Sequence, residues 1–337
     1  MKEALLYEKS TDNSVKCYLC NHECTIQNGK LGICHVRQNK DGKLYTHVYD
    51  RIIAEHIDPI EKKPLFHFLP GSKSYSVATV GCNFKCRFCQ NANIAQMPSD
   101  KGQIAGMQLK PEQVVQTAKN NHCKSISFTY TEPTIYFEFA LETAKKAHEQ
   151  KLKNVFVSNG YMSKDSIKTI GPWLDAANID LKSFNDQFYI KFCGGKLQPV
   201  LNNLVSLKEN HVFLEITTLI VTGLNDDPKE IKQAAKFIVN ELGPETPWHL
   251  SRFHPTYRLQ DRPSTPIETL QRSRKIGLDA GLHYVFTGNV PGDRGESTFC
   301  YQCGKLLIDR FGFRIQKNYL DGCQCPNCQA SVNIVLG

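Results

Sequence analysis

The sequence predicts an α/β fold around a parallel sheet, with a small cysteine-rich extension at each end. Between residues 74 and 289, short β-rich runs alternate with helical stretches. Twelve of the fourteen cysteines fall in three clusters, which lie at the two ends of the chain and just after the first β-rich run. Strands that alternate with helices indicate βαβ units. From the alternation alone, an open doubly wound sheet and a barrel both remain open.

The β-rich runs are expected to form the strands of the sheet. They are SYSVATV (74–80), SISFTY (125–130), NVFVSN (154–159), AANIDLKS (176–183), FLEITTLIV (213–221), PWHLSRF (247–253) and HYVFTGN (283–289). The helical stretches between them are PEQVVQTAKNNH, YFEFALETAKKAHEQ, PVLNNLVSLKEN, DPKEIKQAAKFIVNEL and IETLQRSRKIGLDAG.

Polar and special residues follow the ends of these runs. They are the cysteines after residue 80, Thr131-Glu132-Pro133, Asn159-Gly160, Lys182 and His254. In a parallel barrel the carboxyl ends of the strands form the active-site face. This placement predicts a single catalytic mouth.

Three regions are expected along the chain. Residues 1–73 form an N-terminal cysteine-rich metal-binding extension, residues 74–290 the core barrel, and residues 291–337 a segment like a zinc ribbon. The chain of 337 residues is long enough for one large domain with small appendages.

The composition narrows the class of protein. No apolar run approaches the ~20 residues that a membrane span needs, and the first residues lack the apolar segment of a signal peptide. We therefore expect a cytoplasmic protein without a membrane partner. In that setting, closely spaced cysteines indicate metal ligation rather than disulfides. Cys123 and Cys193 stand apart and are expected to be buried, inert thiols.

The central motif is Cys82-x3-Cys86-x2-Cys89. Three thiolates on one tight loop can hold three irons of a cubane cluster and leave the fourth iron open for a substrate. A zinc ion would need a fourth ligand, and no nearby cysteine or histidine has the usual spacing. The motif therefore predicts a 4Fe–4S cluster.

The N-terminal cysteines are Cys17, Cys20, Cys24 and Cys34. Four soft ligands suit zinc or an iron–sulfur cluster equally well. The choice stays open at this point.

The C-terminal cysteines form two knuckles, Cys300-x2-Cys303 and Cys325-x2-Cys328. Two such knuckles predict a zinc ribbon with a structural role, with a single iron as the main competitor. Cys323 is a fifth thiol that can replace Cys325.

With these motifs, the chain resembles the radical S-adenosylmethionine (SAM) superfamily. Within it, the chain is similar to the pyruvate formate-lyase activating enzymes, and more closely to the radical SAM enzyme of the AmmeMemoRadiSam system. The resemblance covers nearly the whole chain. It implies a partial (β/α)6-type barrel, a 4Fe–4S cluster and SAM as cofactors, and reductive cleavage of SAM to a 5′-deoxyadenosyl radical that abstracts hydrogen from a protein or peptide.

The resemblance also implies roles for individual residues. Phe88 matches the position whose backbone contacts adenine, and Glu132 the position that binds the amino group of SAM. Asn159 would bond the ribose. Asp180 matches a position that helps to hold a monovalent cation, and Lys182 would pair with the SAM carboxylate.

Elementary electrostatics supports two of these roles. The methionine end of SAM is zwitterionic, so it needs an acceptor for its ammonium and a cation for its carboxylate. Glu132 and Lys182 supply one each. Of the two histidines in WHLSRFHP, we expect His254 rather than His249 to be catalytic, because His254 lies beyond the strand end.

The resemblance further implies reduced flavodoxin or ferredoxin as the electron donor, and Memo-like and AMMECR-like proteins as functional partners. Two alternatives remain open, which are modification of a small molecule and a zinc-ribbon protein that binds nucleic acid. The net charge of +8 supports the second only weakly, because filled thiolate sites would reduce it to about +3. No dense basic run lies near residues 300–337.

Overall fold

The centre of the molecule is an eight-stranded sheet. It is seen in a computed structural model that describes residues 1–290 and 292–337. In chain order, strands β1 to β8 are Ala54–Pro59, Lys73–Ala78, Ser125–Phe128, Lys153–Ser158, Ala176–Asp180, Phe213–Ile220, Trp248–Arg252 and Val285–Gly288. All seven strands that the sequence predicts are present, and β1 is an addition.

The order of the strands decides between the two architectures that the sequence left open. Each strand pairs with the next in the chain, from β1 to β8. β1 and β2 are antiparallel, whereas β2 to β8 are all parallel. A doubly wound sheet reverses its strand order at a switch point, and this sheet does not. The fold is therefore an open barrel, wound in one direction.

Six helices make the crossovers between the parallel strands. Helices α1 to α6 are Pro111–Asn120, Phe137–Glu149, Lys164–Ile170, Leu197–Glu209, Pro228–Phe237 and Ile267–Asp279. Six βα units and a final strand agree with the expected (β/α)6-type barrel.

The helix ends follow ordinary sequence signals. α1 and α5 each begin with proline, whose missing N–H is not needed in a first turn. The Asp227 carboxylate caps α5 by accepting a hydrogen bond from the N–H of Lys229. Helix α3, which the sequence analysis did not predict, is capped by the Ser163 hydroxyl. Its seven residues are too few to give a clear apolar period.

The N-terminal extension consists of short strands that pack against the barrel. They are Lys2–Glu3, Tyr7–Lys9, Val15–Cys17, Thr25–Ile26, Arg37–Lys40, Lys43–Thr46 and Arg51–Ile52. Arg37 and Glu138 of α2 form a fully buried ion pair between the extension and the barrel. The N–H of Ser163 also donates to the carbonyl of Leu19. These contacts fix the extension on the α2–α3 side.

The C-terminal segment forms a three-stranded antiparallel sheet of Thr298–Phe299, Leu306–Phe311 and Arg314–Asn318. Its core is shared with the barrel, because Leu307 and Ile308 pack with Phe66, Tyr284 and Phe286. The segment is therefore part of the same folded unit as the barrel.

The segment between β1 and β2 closes the barrel at the amino ends of the parallel strands. There the backbone N–H groups of Phe66 and His67 donate to the buried carboxylate of Glu215. The Asn178 side chain donates to the carbonyl of Pro64. Because this end is filled, a cavity can open only toward the carboxyl ends. In the described part of the chain, no helix is long and apolar enough to cross a membrane.

Candidate active site

A cavity of about 950 Å³ lies at the carboxyl ends of the barrel strands. This volume is near the upper end of the ~300–1,000 Å³ typical of ligand pockets. The residues predicted for the site that line it are Cys82, Cys86, Phe88, Cys89, Glu132, Asn159, Asp180, Lys182 and His254. Residues far apart in sequence therefore share one mouth, as the positions at the strand ends predicted.

The cysteine loop begins at a backbone position that requires glycine. Gly81 has a φ of +104°, and a Cβ at this position would lie 2.8 Å from Cγ1 of Val36. Further along, the N–H of Lys85 donates to the carbonyl of Cys193, and the N–H of Arg87 donates to the carbonyl of Phe192. The loop is therefore held from both sides before any metal binds.

The three cysteines of the loop suit an iron–sulfur cluster. Burial raises the pKa of Cys82, and it raises the pKa of Cys89 to about 11. Thiols in such surroundings stay protonated until a metal displaces the proton. The N–H of Phe84 points at the sulfur of Cys82 at 3.3 Å. Backbone donors of this kind stabilise sulfur ligands of iron.

An unpartnered amide supports the fit of a sulfur-rich group here. Asn83 is buried, and its amide oxygen accepts from the amide nitrogen of Asn159 at 2.7 Å. Its own amide nitrogen has no hydrogen-bond partner among the described residues. A buried donor without a partner costs about 1–3 kcal/mol. A sulfide or thiolate beside it would remove this penalty.

Cys193 is a neighbour of the cluster loop that sequence reasoning missed. It is fully buried, and a hydrogen bond with the Cys193 thiol lowers the pKa of Cys86. Cys193 is buried, as expected, but it does not stand apart, because it contacts a cysteine of the cluster loop. The separation of 107 positions in the sequence gave no signal of the contact.

Glu132 lies at the carboxyl end of β3, where its carboxylate is buried. Oε1 accepts hydrogen bonds from the backbone N–H and hydroxyl of Thr134 and from the hydroxyl of Ser158, and Oε2 accepts one from the N–H of Asn159. Burial raises its pKa. The carboxylate thus ties the ends of β3 and β4 together. Binding of the SAM amino group stays a prediction.

Asp180 and Lys182 follow β5 and form an ion pair of 2.9 Å. The Lys182 ammonium also lies 5.9 Å from the ring centre of Phe88. Burial alone would lower the pKa of Lys182, but Asp180 and the Cys86 thiol raise it well above its ordinary value. A lasting positive charge therefore lies beside the cysteine loop, where an anionic group would be favoured.

Asn159 and His254 differ in how firmly they are held. The amide of Asn159 is engaged, since it donates to Asn83 and accepts from the N–H of Tyr161. His254 is exposed at the rim, with its Nδ1 3.0 Å from the hydroxyl of Ser264. The ribose and catalytic roles assigned to them stay predictions.

His249 lies deeper in the barrel than His254. Its Nε2 is 2.6 Å from the Glu215 carboxylate, and its ring stacks on Phe286. Both histidines line the cavity, and the choice of His254 over His249 stays a prediction.

A buried charged group on the cavity wall was not predicted from the sequence. The ammonium of Lys63 contacts the Asp58 carboxylate at 2.6 Å, and the Tyr130 hydroxyl donates to the same carboxylate. Burial lowers the pKa of Lys63 to about 8. Lys63 and Asp58 had been assigned to the N-terminal extension, so nothing in the sequence pattern linked them to the mouth of the barrel.

The two outer cysteine sets differ in geometry. The sulfur atoms of Cys300, Cys303, Cys325 and Cys328 all lie within 4.8 Å of one another. The distances are 3.6 Å for Cys300–Cys328 and 3.7 Å for Cys303–Cys325. A tetrahedral zinc ion with bonds of about 2.3 Å separates its sulfur ligands by about 3.8 Å. The C-terminal set therefore fits a single metal ion.

Electrostatics at the C-terminal set is also suited to a metal. Hydrogen bonds from the backbone at Lys305 and from the side chain of Asn327 lower the pKa of Cys303 to about 6. Cys323 is exposed and lies outside the group of four, with its sulfur 3.7 Å from the carbonyl of Ile334.

The sulfur atoms of the N-terminal set are less closely grouped than those of the C-terminal set. Cys17 is buried, and Cys20, Cys24 and Cys34 are partly exposed. Burial and, to a smaller degree, the nearby Cys17 thiol raise the pKa of Cys24 and of Cys34, the latter to about 11. The four thiols are thus neighbours, but within the described residues this set does not form a group as tight as the C-terminal one.

Comparisons with known proteins agree with the geometry. The model of the radical SAM superfamily matches residues 76–238. Uncharacterized protein MJ0808 of Methanocaldococcus jannaschii is 44% identical to this chain over 338 aligned residues. The alignment covers 100% of both proteins. The 4-hydroxyphenylacetate decarboxylase activating enzyme of Clostridium scatologenes is 22% identical to this chain. That alignment covers 49% of this chain and 57% of the length of the activating enzyme.

A solved structure supports the fold. A radical SAM methyltransferase from Sphaerobacter thermophilus is similar over 71% of each chain, with 14% identity and a TM-score of 0.51. At this identity only the fold is comparable. The likeness of fold, the barrel, the cysteine loop and the relatives lead to one conclusion. The chain is an enzyme of the radical SAM superfamily, in a branch similar to the activating enzymes.

Proposed function

We propose that this enzyme cleaves SAM reductively and abstracts hydrogen from a protein or peptide substrate. The observation that carries the proposal is the single cavity that joins the three cysteines to the side chains at the ends of β3, β4 and β5. When bound, a 4Fe–4S cluster with SAM would supply the electron that cleaves SAM to methionine and a 5′-deoxyadenosyl radical.

The chain's own residues would bind and orient the cosubstrate. Lys182 offers a positive charge to the SAM carboxylate, and Asp180 keeps that charge in place. Glu132 fixes the ends of β3 and β4, so that Ser158 and Asn159 hold their positions at the cavity wall. Phe88 forms an apolar wall beside them.

The rim of the cavity supports a large substrate. The hairpin between Leu306–Phe311 and Arg314–Asn318 reaches the cavity with Phe311 and Phe313, whose exposed fractions are 60% and 48%. Exposed aromatic side chains beside a cavity are typical of surfaces that bind proteins. Relatives that are named as activating enzymes of other proteins add to this support.

A small molecule is the second candidate. The inner wall of the cavity carries Glu61, Lys63 and His249, which are buried polar groups of the kind that hold small ligands. The flavodoxin or ferredoxin donor and the Memo-like and AMMECR-like partners stay predictions. The zinc-ribbon protein that binds nucleic acid is not retained as the function of the whole chain, since the chain is an enzyme.

The proposal is tested by measuring 5′-deoxyadenosine after anaerobic reconstitution and reduction. Replacing Cys82, Cys86 and Cys89 with Ala should abolish the product and remove about four irons. Cys123→Ala, a buried cysteine outside the three sets, is the control and should keep both. Product formed by the triple variant would refute the proposal.

A second measurement separates the two substrate classes. A deuterated extract of the source organism is divided by ultrafiltration into a macromolecular and a small-molecule fraction, and each is added to the enzyme. Deuterium in 5′-deoxyadenosine from the macromolecular fraction alone is expected. Deuterium from the small-molecule fraction alone would favour the second candidate.

A further inference from the structure

The N-terminal cysteine set, formed by Cys17, Cys20, Cys24 and Cys34, is unexplained by cleavage of SAM alone. The four residues come from separate turns and strands that fold together. The N–H of Cys17 donates to the carbonyl of Cys24, and a Cβ at Gly32 would lie 3.8 Å from the Cys24 sulfur. Cys17 and Cys34 also act electrostatically on Cys20, and Cys17 and Cys24 act on Cys34, so the four thiols lie in one region of the extension.

The spacing of the sulfur atoms distinguishes one ion from several. Among the described residues, a group of three or more metal-binding atoms within 4.8 Å is formed by the C-terminal set and not by the N-terminal one. A single tetrahedral ion needs sulfur pairs about 3.8 Å apart. Ligands that bind different irons of one cluster stand farther apart, because the irons and sulfides lie between them.

The catalytic loop provides an internal standard for this difference. Cys82, Cys86 and Cys89 also lack the tight grouping, and the family uses such a loop to hold a 4Fe–4S cluster. Within the described residues, neither the N-terminal set nor the cluster loop forms the close group that suits a single ion. The C-terminal set has the close spacing of a single-ion site.

The N-terminal set also touches the catalytic loop directly. The carbonyl oxygen of Cys34 lies 3.6 Å from the position of a Cβ on Gly81, the residue before Cys82. On the other side of the loop, the His22 ring is 2.8 Å from the carbonyl of Asn83. The two cysteine sets therefore share residues 81–83 as a common wall.

Asn83 lies between the two cysteine sets, so its amide nitrogen bears on both of them. It is 1% exposed, its side chain lies beside Cys20, and its amide nitrogen has no partner in the described part of the chain. Amide donors to the sulfur atoms of a cluster are a recurrent way to tune its potential. A sulfur atom of a group held by either set would satisfy this donor, so it supports a cluster at the N-terminal set without distinguishing it from the catalytic one.

We propose that Cys17, Cys20, Cys24 and Cys34 hold a second iron–sulfur cluster, which passes electrons to the cluster at Cys82, Cys86 and Cys89. The proposal rests on the proposed function. A low-potential one-electron donor of the flavodoxin or ferredoxin class reduces the N-terminal cluster by one electron. That electron moves to the catalytic cluster, and cleavage of the S–C5′ bond of SAM consumes it. No proton is transferred in either electron step.

The first test counts metals in the full-length protein after anaerobic reconstitution with iron and sulfide. The variant with Cys82, Cys86 and Cys89 changed to Ala should keep about four irons and, after reduction with dithionite, an electron paramagnetic resonance signal of a reduced cluster. Adding Cys17→Ser and Cys34→Ser to it should remove both. A zinc ion or a single iron at the N-terminal set of the triple variant would overturn the proposal.

The second test addresses the transfer of electrons. Cys17→Ser with Cys34→Ser should slow reduction of the catalytic cluster by reduced flavodoxin at least ~10-fold, whereas dithionite, a small reductant, should still drive SAM cleavage. Cys323→Ser, an exposed cysteine outside every set, is the control. An unchanged rate with flavodoxin would overturn the relay. A wild-type protein that binds both clusters but forms no 5′-deoxyadenosine would instead refute the proposed function.

Discussion

The two ends of the chain use the same number of cysteine ligands to different effect. At the C-terminal end, two CxxC knuckles on neighbouring turns bring sulfur atoms to 3.6 and 3.7 Å. At the N-terminal end, the four cysteines are spread over 18 positions and stay farther apart. The difference teaches that the turns between the ligands, rather than the number of ligands, decide how closely four sulfur atoms are brought together.

The two ends also attach to different parts of the barrel. The N-terminal set contacts the catalytic loop at Gly81 and Asn83, near the cavity. The C-terminal segment contacts the closed end, where the backbone of Val335 pairs with His67 and Leu69, and it also reaches the rim of the cavity with Phe311 and Phe313. The N-terminal set therefore lies beside the cysteine loop, whereas the C-terminal segment extends from the floor of the barrel to the rim of the cavity.

The largest expected effect concerns the metal of the C-terminal segment. Changing Cys300 and Cys325 together to Ser should remove one metal ion and unfold residues 298–334, because a structural zinc ion contributes on the order of 10 kcal/mol to folding. Hydrogen exchange and metal analysis of the full-length protein would measure both effects. With Cys323→Ser as the control, exchange should stay slow. Native protection in the double variant would show that the segment does not depend on its metal.

A smaller effect is expected from the buried contact between the C-terminal segment and the floor of the barrel. Arg310 and Glu61 are almost fully buried, with Nε and Oε1 4.0 Å apart. Arg310→Met leaves Glu61 with an uncompensated charge, which should lower the free energy of unfolding by about 3–5 kcal/mol. Denaturant unfolding would measure the loss.

Two matched variants test whether the loss of stability comes from the buried charge of Glu61. Arg314→Met changes an exposed arginine on the same hairpin and should be within about 0.5 kcal/mol of wild type. Glu61→Gln combined with Arg310→Met should recover part of the loss, since no charge is left buried. Equal stability of Arg310→Met and Arg314→Met would mean that the ion pair does not join the segment to the barrel.

The sequence revealed most of the barrel because its signals are local. Each β-rich run formed a strand, and the residues after the runs lie on one cavity because the carboxyl ends of parallel strands meet at one edge. Strand β1 escaped notice since its sequence, AEHIDP, has neither β-branched runs nor clean alternation. Because β1 is an edge strand that pairs only with β2, its side chains need not pack against a second neighbouring strand.

The parts of the site that depend on distant contacts could not be predicted. Cys193 meets Cys86, Lys63 meets Tyr130, and Arg310 meets Glu61, yet each pair is separated by more than 60 positions. The spacing of the N-terminal sulfur atoms has the same origin, because it depends on how four turns pack. Composition alone left zinc and iron equal there, and the looser grouping of these sulfur atoms supports the proposal of a cluster.

The smallest expected effect lies between the two ends, at Lys182. If its ammonium holds the SAM carboxylate, Lys182→Met should raise the dissociation constant of SAM by roughly 10- to 150-fold, the worth of a charge-assisted hydrogen bond of about 1.5–3 kcal/mol. Both outer metal sets should stay filled, because Lys182 contacts neither. An anaerobic SAM titration of the reconstituted protein would measure the change.

Two further variants distinguish this role from a purely structural ion pair. Lys191→Met removes an exposed lysine nearby in the sequence and should leave SAM binding unchanged. Asp180→Asn removes the partner that lies 2.9 Å from the ammonium, but keeps the positive charge, so it should weaken binding less than Lys182→Met does. Because a structural pair loses the same contact from either side, it predicts equal losses of stability in the two variants and an unchanged dissociation constant. That result would remove Lys182 from the site and leave the SAM carboxylate to another cation of the cavity, of which Arg252 at the end of β7 is the nearest in kind.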